Sequence, residues 1–277
     1  MTTALKVKNL CKTYIVNKRQ NNVLRNVNFI VEDGELTAIM GPSGSGKTTL
    51  LYTVSGMDER TAGDVEFYGT EISKLDAKKL AQVRLNDMGF IFQQMYMLKN
   101  LTINDNILLP AYQALGSDKS STKNPAQNPV KNKGKGISVK ALKKEKDEYA
   151  LELMRKLDII DVAENDITEV SGGQLQRACI CRSLINRPKM IFADEPTGSL
   201  NKQASYDVME EIIKVNRGGT TVMLVTHDVR VAAKCDRVLY ISDGNIHDEY
   251  QMEKYSAEQD LRVRERALNN WLIEKSW

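Results

Sequence analysis

Apolar and polar residues alternate over residues 5–10, and residues 35–40 (ELTAIM) form a short apolar run leading straight into glycine. Both patterns predict strands, and a helix is expected to begin near Gly46. Residues 65–68 and 89–92 read as further short strands, whereas 76–86 and 102–115 space Leu, Val and Ile as a helix does. From Met190 the pattern becomes an apolar strand (MIFAD), a helix over 204–215, a strand over 221–226, a helix over 229–234 and a strand over 237–241. Strands alternating with helices imply crossover units and a parallel sheet, so the two outer thirds are expected to supply one α/β core.

Residues 116–136 (GSDKSSTKNPAQNPVKNKGKG) break all periodicity and offer almost nothing to bury, the composition of a flexible insertion. Its lysines suit plain solvation, with contact to anionic lipid or a partner loop as the alternative. Helical spacing resumes over 141–157. The last twenty residues set Leu261, Leu268, Trp271 and Leu272 among charges, an amphipathic helix expected to dock on the body or on a partner.

Composition narrows the function classes. The chain has 277 residues, 42% of them hydrophobic, and Lys plus Arg exceed Asp plus Glu by 39 − 36 = 3. That excess is too small for a dedicated nucleic-acid binder, and no nucleic-acid partner is expected. Cys11, Cys179, Cys181 and Cys235 lack the spacing of a zinc site and the density of a disulfide scaffold, so reduced core thiols are expected. Cys179 and Cys181, two apart on a helix, do not share a face. The N-terminal MTTALKVKNL lacks the apolar run of a secretory signal, and no window is long and apolar enough for a membrane span. Residence in the cytosol follows as the expectation, with any membrane role coming through a partner.

The candidate chemistry starts at Gly41-Pro42-Ser43-Gly44-Ser45-Gly46-Lys47-Thr48, followed by Thr49. This is G-x-x-x-x-G-K-[ST] placed after an apolar strand and before a helix, as a phosphate-binding loop requires. Small residues let backbone N–H groups turn toward a polyphosphate and the helix start adds a favourable dipole. Lys47 can neutralise β- and γ-phosphate oxygens, and the Thr48 hydroxyl can ligate Mg2+. Phosphoryl chemistry also needs a metal-holding acid and a group that orients water. The strand MIFAD delivers Asp194 and Glu195; neighbours leaving a strand point apart, so Asp194 can hold Mg2+ while Glu195 faces the attacking water as general base. Upstream, Ser171-Gly172-Gly173-Gln174 opens an apolar run with a hydroxyl and unobstructed amides, which suits a phosphate as well as a simple N-cap.

The order phosphate loop, Ser-Gly-Gly-Gln, Asp-Glu resembles the ATP-binding-cassette (ABC) ATPase family over nearly the whole chain apart from the Lys-rich tract and the tail. The resemblance implies an α/β P-loop NTPase fold: a mostly parallel core sheet flanked by helices, an N-terminal antiparallel β element and a helical subdomain. It implies a single ABC ATPase domain over 1–277. Its nucleotide-binding core is expected at 1–94 and 187–246, its helical subdomain at 95–186 and a C-terminal extension at 247–277. ATP and Mg2+ are the implied cofactors. Gln93 after GFIF matches the glutamine that reaches metal and water, His227 after VMLVT the histidine that contacts γ-phosphate, and Tyr14 the aromatic residue that stacks on adenine. The resemblance also implies a homodimer in which residues 171–174 of one chain close over the nucleotide held by the other, and a membrane permease contacted through the helical subdomain. Tyr96, Met97 and Leu98 are candidates for that contact or for packing.

Two departures stand out. Asn201 occupies a position where the family usually has Asp, which puts coupling between the two sites in doubt, and Val170 replaces the usual Leu. KVKNLCKTY, FADEPTGSL and TTVMLVTHD are similar to the subfamily of macrolide exporters, lipoprotein-release ATPases and bacitracin-type peptide-resistance transporters. That points to an ATPase on the cytoplasmic face of the membrane driving export or resistance. A cell-division-type ATPase that drives a cell-wall signalling complex shares these motifs. So does a soluble DNA-repair or translation-type ATPase, although the coiled-coil, zinc and tandem-cassette features of those relatives are absent from the sequence.

Overall fold

The computed structural model describes residues 2–117, 139–198, 200–256 and 261–275. The Lys-rich tract lies outside these apart from Gly116 and Ser117. Strand β1 (Thr3–Val16) folds back on β2 (Arg19–Glu32) through Asn17 and Lys18. Both of these have left-handed φ (51° and 63°), the pair of positive values that a tight two-residue hairpin demands. With β4 (Ala62–Phe67) and β5 (Thr70–Glu71) they form an antiparallel sheet in the order β2-β1-β4-β5.

The second sheet joins β3 (Leu36–Met40), β6 (Met88–Ile91), β7 (Met190–Asp194), β8 (Thr221–Val225), β9 (Arg237–Ser242) and β10 (Asn245–Gln251) in the order β10-β9-β3-β8-β7-β6. All neighbours are parallel except β10 and β9. Every residue of β3, β7 and β8 is buried, so these strands read as continuous apolar runs. Their side chains alternate between two cores. Ala38, Met40, Ile191, Ala193, Val222 and Leu224 face the helical side, whereas Ile39, Met190, Phe192, Met223 and Val225 pack toward the antiparallel sheet.

Helices α1 (Lys47–Val54) and α2 (Ala77–Asp87) follow the first strands; α3 (Ile103–Ser117), α4 (Val139–Lys156) and α5 (Gly172–Leu184) pack on one another between β6 and β7. Next come α6 (Lys202–Arg217), the short α7 (Val229–Ala232) and α8 (Leu261–Glu274). The tail docks on its own body. Leu268 and Leu272 are fully buried, and the Trp271 ring lies 6.1 Å from Tyr240 and 5.2 Å from Tyr250.

Three strands, β2, β5 and β10, were not anticipated, β5 being only two residues long. β2 begins with an Asn-rich polar stretch and β10 (NIHDEYQ) exposes alternate positions, so neither carries the apolar run of a central strand. β10 crosses residue 246, so the segment past the core boundary begins as sheet. Cys179, Cys181 and Cys235 are buried free thiols. Among the described residues no cluster of His, Cys, Asp and Glu is fit to hold a metal by itself, and no helix is long and apolar enough to cross a membrane.

Candidate active site

The adjacent strands β3, β8, β7 and β6 run in one direction, so their C-terminal ends release their following residues on one edge of the sheet. Gly41 follows β3, Asp194 and Glu195 end β7, His227 follows β8 and Gln93 follows β6. Segments far apart in sequence meet there because the strands are neighbours.

Gly41 is demanded by packing: a Cβ there would sit 1.9 Å from the Ile241 carbonyl oxygen. Gly44 and Gly46 have φ of +78° and +102°, a region glycine enters without strain. Gly46 is the N-cap of α1 and no side chain caps this helix end, so its first N–H groups face the loop. The Ser45 hydroxyl is buried beside Gly41 and lacks a partner among the described residues. Lys47 folds back so that Nζ donates to the carbonyls of Gly41 and Pro42, both at 2.9 Å. Burial pulls its ammonium below the ordinary lysine range, against the opposing carboxylates of Glu195 and Asp194.

Asp194 is buried behind the loop. It accepts from Thr48 Oγ1 at 3.0 Å and from the Tyr52 hydroxyl at 3.0 Å. Burial first, and the Asp194 carboxylate second, push the Tyr52 phenol well above its usual value and keep it a donor. Glu195 turns away from the strand. Its φ of 46° is left-handed, an uncommon state for a residue with a side chain. Its N–H donates to the Val225 carbonyl and its own carbonyl accepts from Gly198 N–H, each at 3.0 Å. This turn brings Glu195 Oε1 to 2.9 Å from His227 Nδ1.

An open groove of about 350 Å3 is lined by Ser43, Gly44, Gly46, Lys47, Thr48, Thr49, Gln93, Glu195 and His227, with Val23 of β2 on its flank. The edge of the sheet thus gathers most of the anticipated residues in one place. Tyr14 stands beside the groove, not in its wall. Its phenol donates to Asp58, Thr49 lies within reach, and Lys12 Nζ sits 4.5 Å from the ring centroid. Burial and the Asp58 carboxylate both raise the Tyr14 phenol.

Residues 171–174 do not line the groove. Ser171 Oγ accepts from Gln174 N–H at 3.2 Å and Gln174 Oε1 accepts from Ser171 N–H at 2.9 Å, a capping box that leaves the O–H of the exposed Ser171 to donate elsewhere. Gly172 remains open, with no atom within 4 Å of where a Cβ would stand. Asn201 is the N-cap of α6, accepting from Ala204 N–H at 2.9 Å, so amide and carboxylate are interchangeable for this local task.

The sequence reading missed Tyr52, Gln176 and Arg182. From α5, Gln176 Nε2 donates to the Pro196 carbonyl at 2.8 Å, and Arg182 donates to the carbonyls of Met95 and Tyr96 at 2.6 and 2.8 Å. The one available signal was the helical register of α1, which puts Tyr52 a turn beyond Thr48 on the same face.

Residues 24–198 match the family model described as ABC transporter. This chain belongs to the ABC transporter family. It is 38% identical to the ABC transporter ATP-binding protein YxdL of Bacillus subtilis (strain 168) over 250 residues, covering 90% of this chain and 87% of that protein. It is 37% identical to the bacitracin export ATP-binding protein BceA of Halalkalibacterium halodurans over 244 residues, covering 88% and 87%. Further matches named for macrolide export and lipoprotein release fall in the subfamily that the motifs resemble. Among solved structures, the dimeric post-hydrolysis state of the ATP-binding cassette MJ0796 bound to ADP and Pi superposes with a TM-score of 0.75 at 32% identity, covering 91% of this chain and all of that one.

The ABC ATPase works on ATP with Mg2+, and the groove fits both. Gly44 and Gly46 hold left-handed turns that a Cβ would strain, Gly41 makes a close approach to β9 that a Cβ would block, and the uncapped start of α1 presents its N–H groups to the groove. A hydroxyl, a carboxylate and an amide carbonyl at Thr48, Asp194 and Gln93 are the hard oxygen donors that Mg2+ prefers, with phosphate and water to complete the shell.

Proposed function

We propose that this ABC ATPase powers a membrane permease for export of, or resistance to, peptides, antibiotics or lipid-linked compounds, and that two copies close around two ATP molecules to do so. The observation that carries this reading is the division of the motifs. Glu195, His227 and Gln93 share a groove with the phosphate loop, whereas residues 171–174 stand outside it and display an open glycine turn. A second chain is needed to bring that turn to the nucleotide. The names of the relatives, BceA above all, support the substrate class.

Within the groove, Lys47 and the N–H groups of residues 43–49 hold the phosphates, and Thr48, Asp194 and Gln93 hold Mg2+, which offsets charge on the transferred phosphoryl group. Glu195 takes the proton of the attacking water, and the His227 imidazole at 2.9 Å orients that carboxylate while lying close to where the γ-phosphate sits. Tyr14 offers its ring to adenine from the rim. Toward the permease, Tyr96 and Leu98 are exposed, with Met97 packed beneath them, and Arg182 ties this loop to α5. Such a pair of exposed apolar side chains on an anchored loop suits a short permease helix, and the ATPase sits at the cytoplasmic face of the membrane through it.

Glu195→Gln in the full chain tests the assignment. Nucleotide affinity should stay at the wild-type level while turnover falls by about 10²- to 10⁴-fold. Undiminished phosphate release would remove Glu195 as the base.

A further inference from the structure

Gln176 lies within α5, one turn past the Ser171 capping box, and only 1% of its surface is exposed. Its amide is half satisfied. Nε2 donates to the Pro196 carbonyl, but Oε1 is buried and has no partner among the described residues. A buried orphan acceptor is unfavourable; methionine would fill nearly the same space without it, but would leave the buried Pro196 carbonyl as the orphan instead. Volume alone therefore does not call for glutamine at this position. What glutamine adds is a fixed donor aimed at the residue immediately after Glu195.

That location matters because Glu195 is held in an uncommon backbone state. Its left-handed turn is anchored to β8 through the Glu195 N–H and closed by Gly198 N–H on the Glu195 carbonyl. Pro196 has no N–H, so its carbonyl is the one main-chain hydrogen-bonding group that residue can offer. Gln176 grips that carbonyl from the helix whose first turn is residues 171–174.

We propose that Gln176 is a positioning residue for Glu195: through the Pro196 carbonyl it fixes the turn that aims the carboxylate, and it links the 171–174 turn to the base of the same chain. This rests on the reading of Glu195 as general base. It makes α5 a strut, since the same helix also grips the loop after Gln93 through Arg182.

The test compares Gln176→Met, Gln176→Leu and Glu195→Gln in the full chain, by steady-state ATP hydrolysis, nucleotide binding and thermal unfolding. Gln176→Met removes the donor and exchanges the Oε1 orphan for the Pro196 carbonyl, and should lower kcat about tenfold or more, with KM and ATP affinity within about twofold of wild type and Tm close to that of wild type. Gln176→Leu also removes the donor without burying a charge and should lower kcat likewise, so it decides the matter if the methionine variant does not fold. Added to Glu195→Gln, the methionine change should cost little more, because residues acting as one unit are not additive. Wild-type kcat in the folded variants, or a loss of kcat matched by weaker ATP binding and lower Tm, overturns the proposal. If Glu195→Gln itself keeps full turnover, the base assignment fails instead. Loss there with wild-type turnover in Gln176→Met sinks the positioning role alone.

Discussion

The phosphate loop and the Ser171 turn are both helix starts rich in glycine, yet they are wired in opposite ways. Around the loop, Thr48, Tyr52 and Gly41 answer to distant strands. Thr48 meets Asp194 of β7, Tyr52 meets the other oxygen of that carboxylate, and Gly41 packs on the backbone of β9. Residues 171–174 answer mainly to themselves, through the capping box, and Gly172 faces open space. Burial and cross-strand bonds preorganise the first region for a charged ligand held by its own chain. The second is rigid in shape but unpartnered, which is what a surface that completes another copy's site requires.

Breaking the loop side should give the largest effect. Lys47→Ala is expected to lower turnover by about 10²- to 10³-fold and to weaken nucleotide binding, read by phosphate release and equilibrium titration. Tyr52→Phe sharpens the contrast, because it leaves the groove intact and removes one of the two donors that orient Asp194. Titration with Mg2+ should show about tenfold weaker metal dependence with ATP binding preserved. The smallest effect belongs to the rim. Burial alone would raise the Asp58 carboxyl, but the Lys12 ammonium and the Tyr14 phenol together hold it below its ordinary value. A depressed folded pKa means that the pair stabilises above the unfolded carboxyl pKa of about 4 and is lost as pH falls below it. Asp58→Asn should therefore cost under about 1 kcal/mol at neutral pH, a difference that begins to shrink in acid unfolding curves as pH falls below about 4 and is gone below the depressed folded value.

The central strands and the loop were legible in sequence because each is contiguous. ELTAIM and MIFAD are buried along their whole length, and the glycines of the loop stand where backbone geometry needs them. The helices over 76–86, 102–115, 141–157 and 204–215 were legible for the same reason, being local and periodic. β2 and β10 were hidden by their polar outer faces. The partners of the site residues were hidden because they depend on neighbours in space. Nothing in the local sequence brings Tyr52 to Asp194, or Gln176 to Pro196, until β7 lies beside β8 and α5 packs behind them. Ser171 is the opposite case: its capping bond lies only three residues away and was legible as such, and the cap still leaves the hydroxyl an O–H to offer a ligand.

The claim that one chain carries two halves of different sites is tested most directly by the mass of the Glu195→Gln protein in solution with and without Mg2+ and ATP, measured by light scattering. The account predicts a doubling of mass with ATP, abolished when Gly172→Asp is added even though each chain still binds nucleotide. A protein that binds ATP and keeps the mass of a single chain would contradict it.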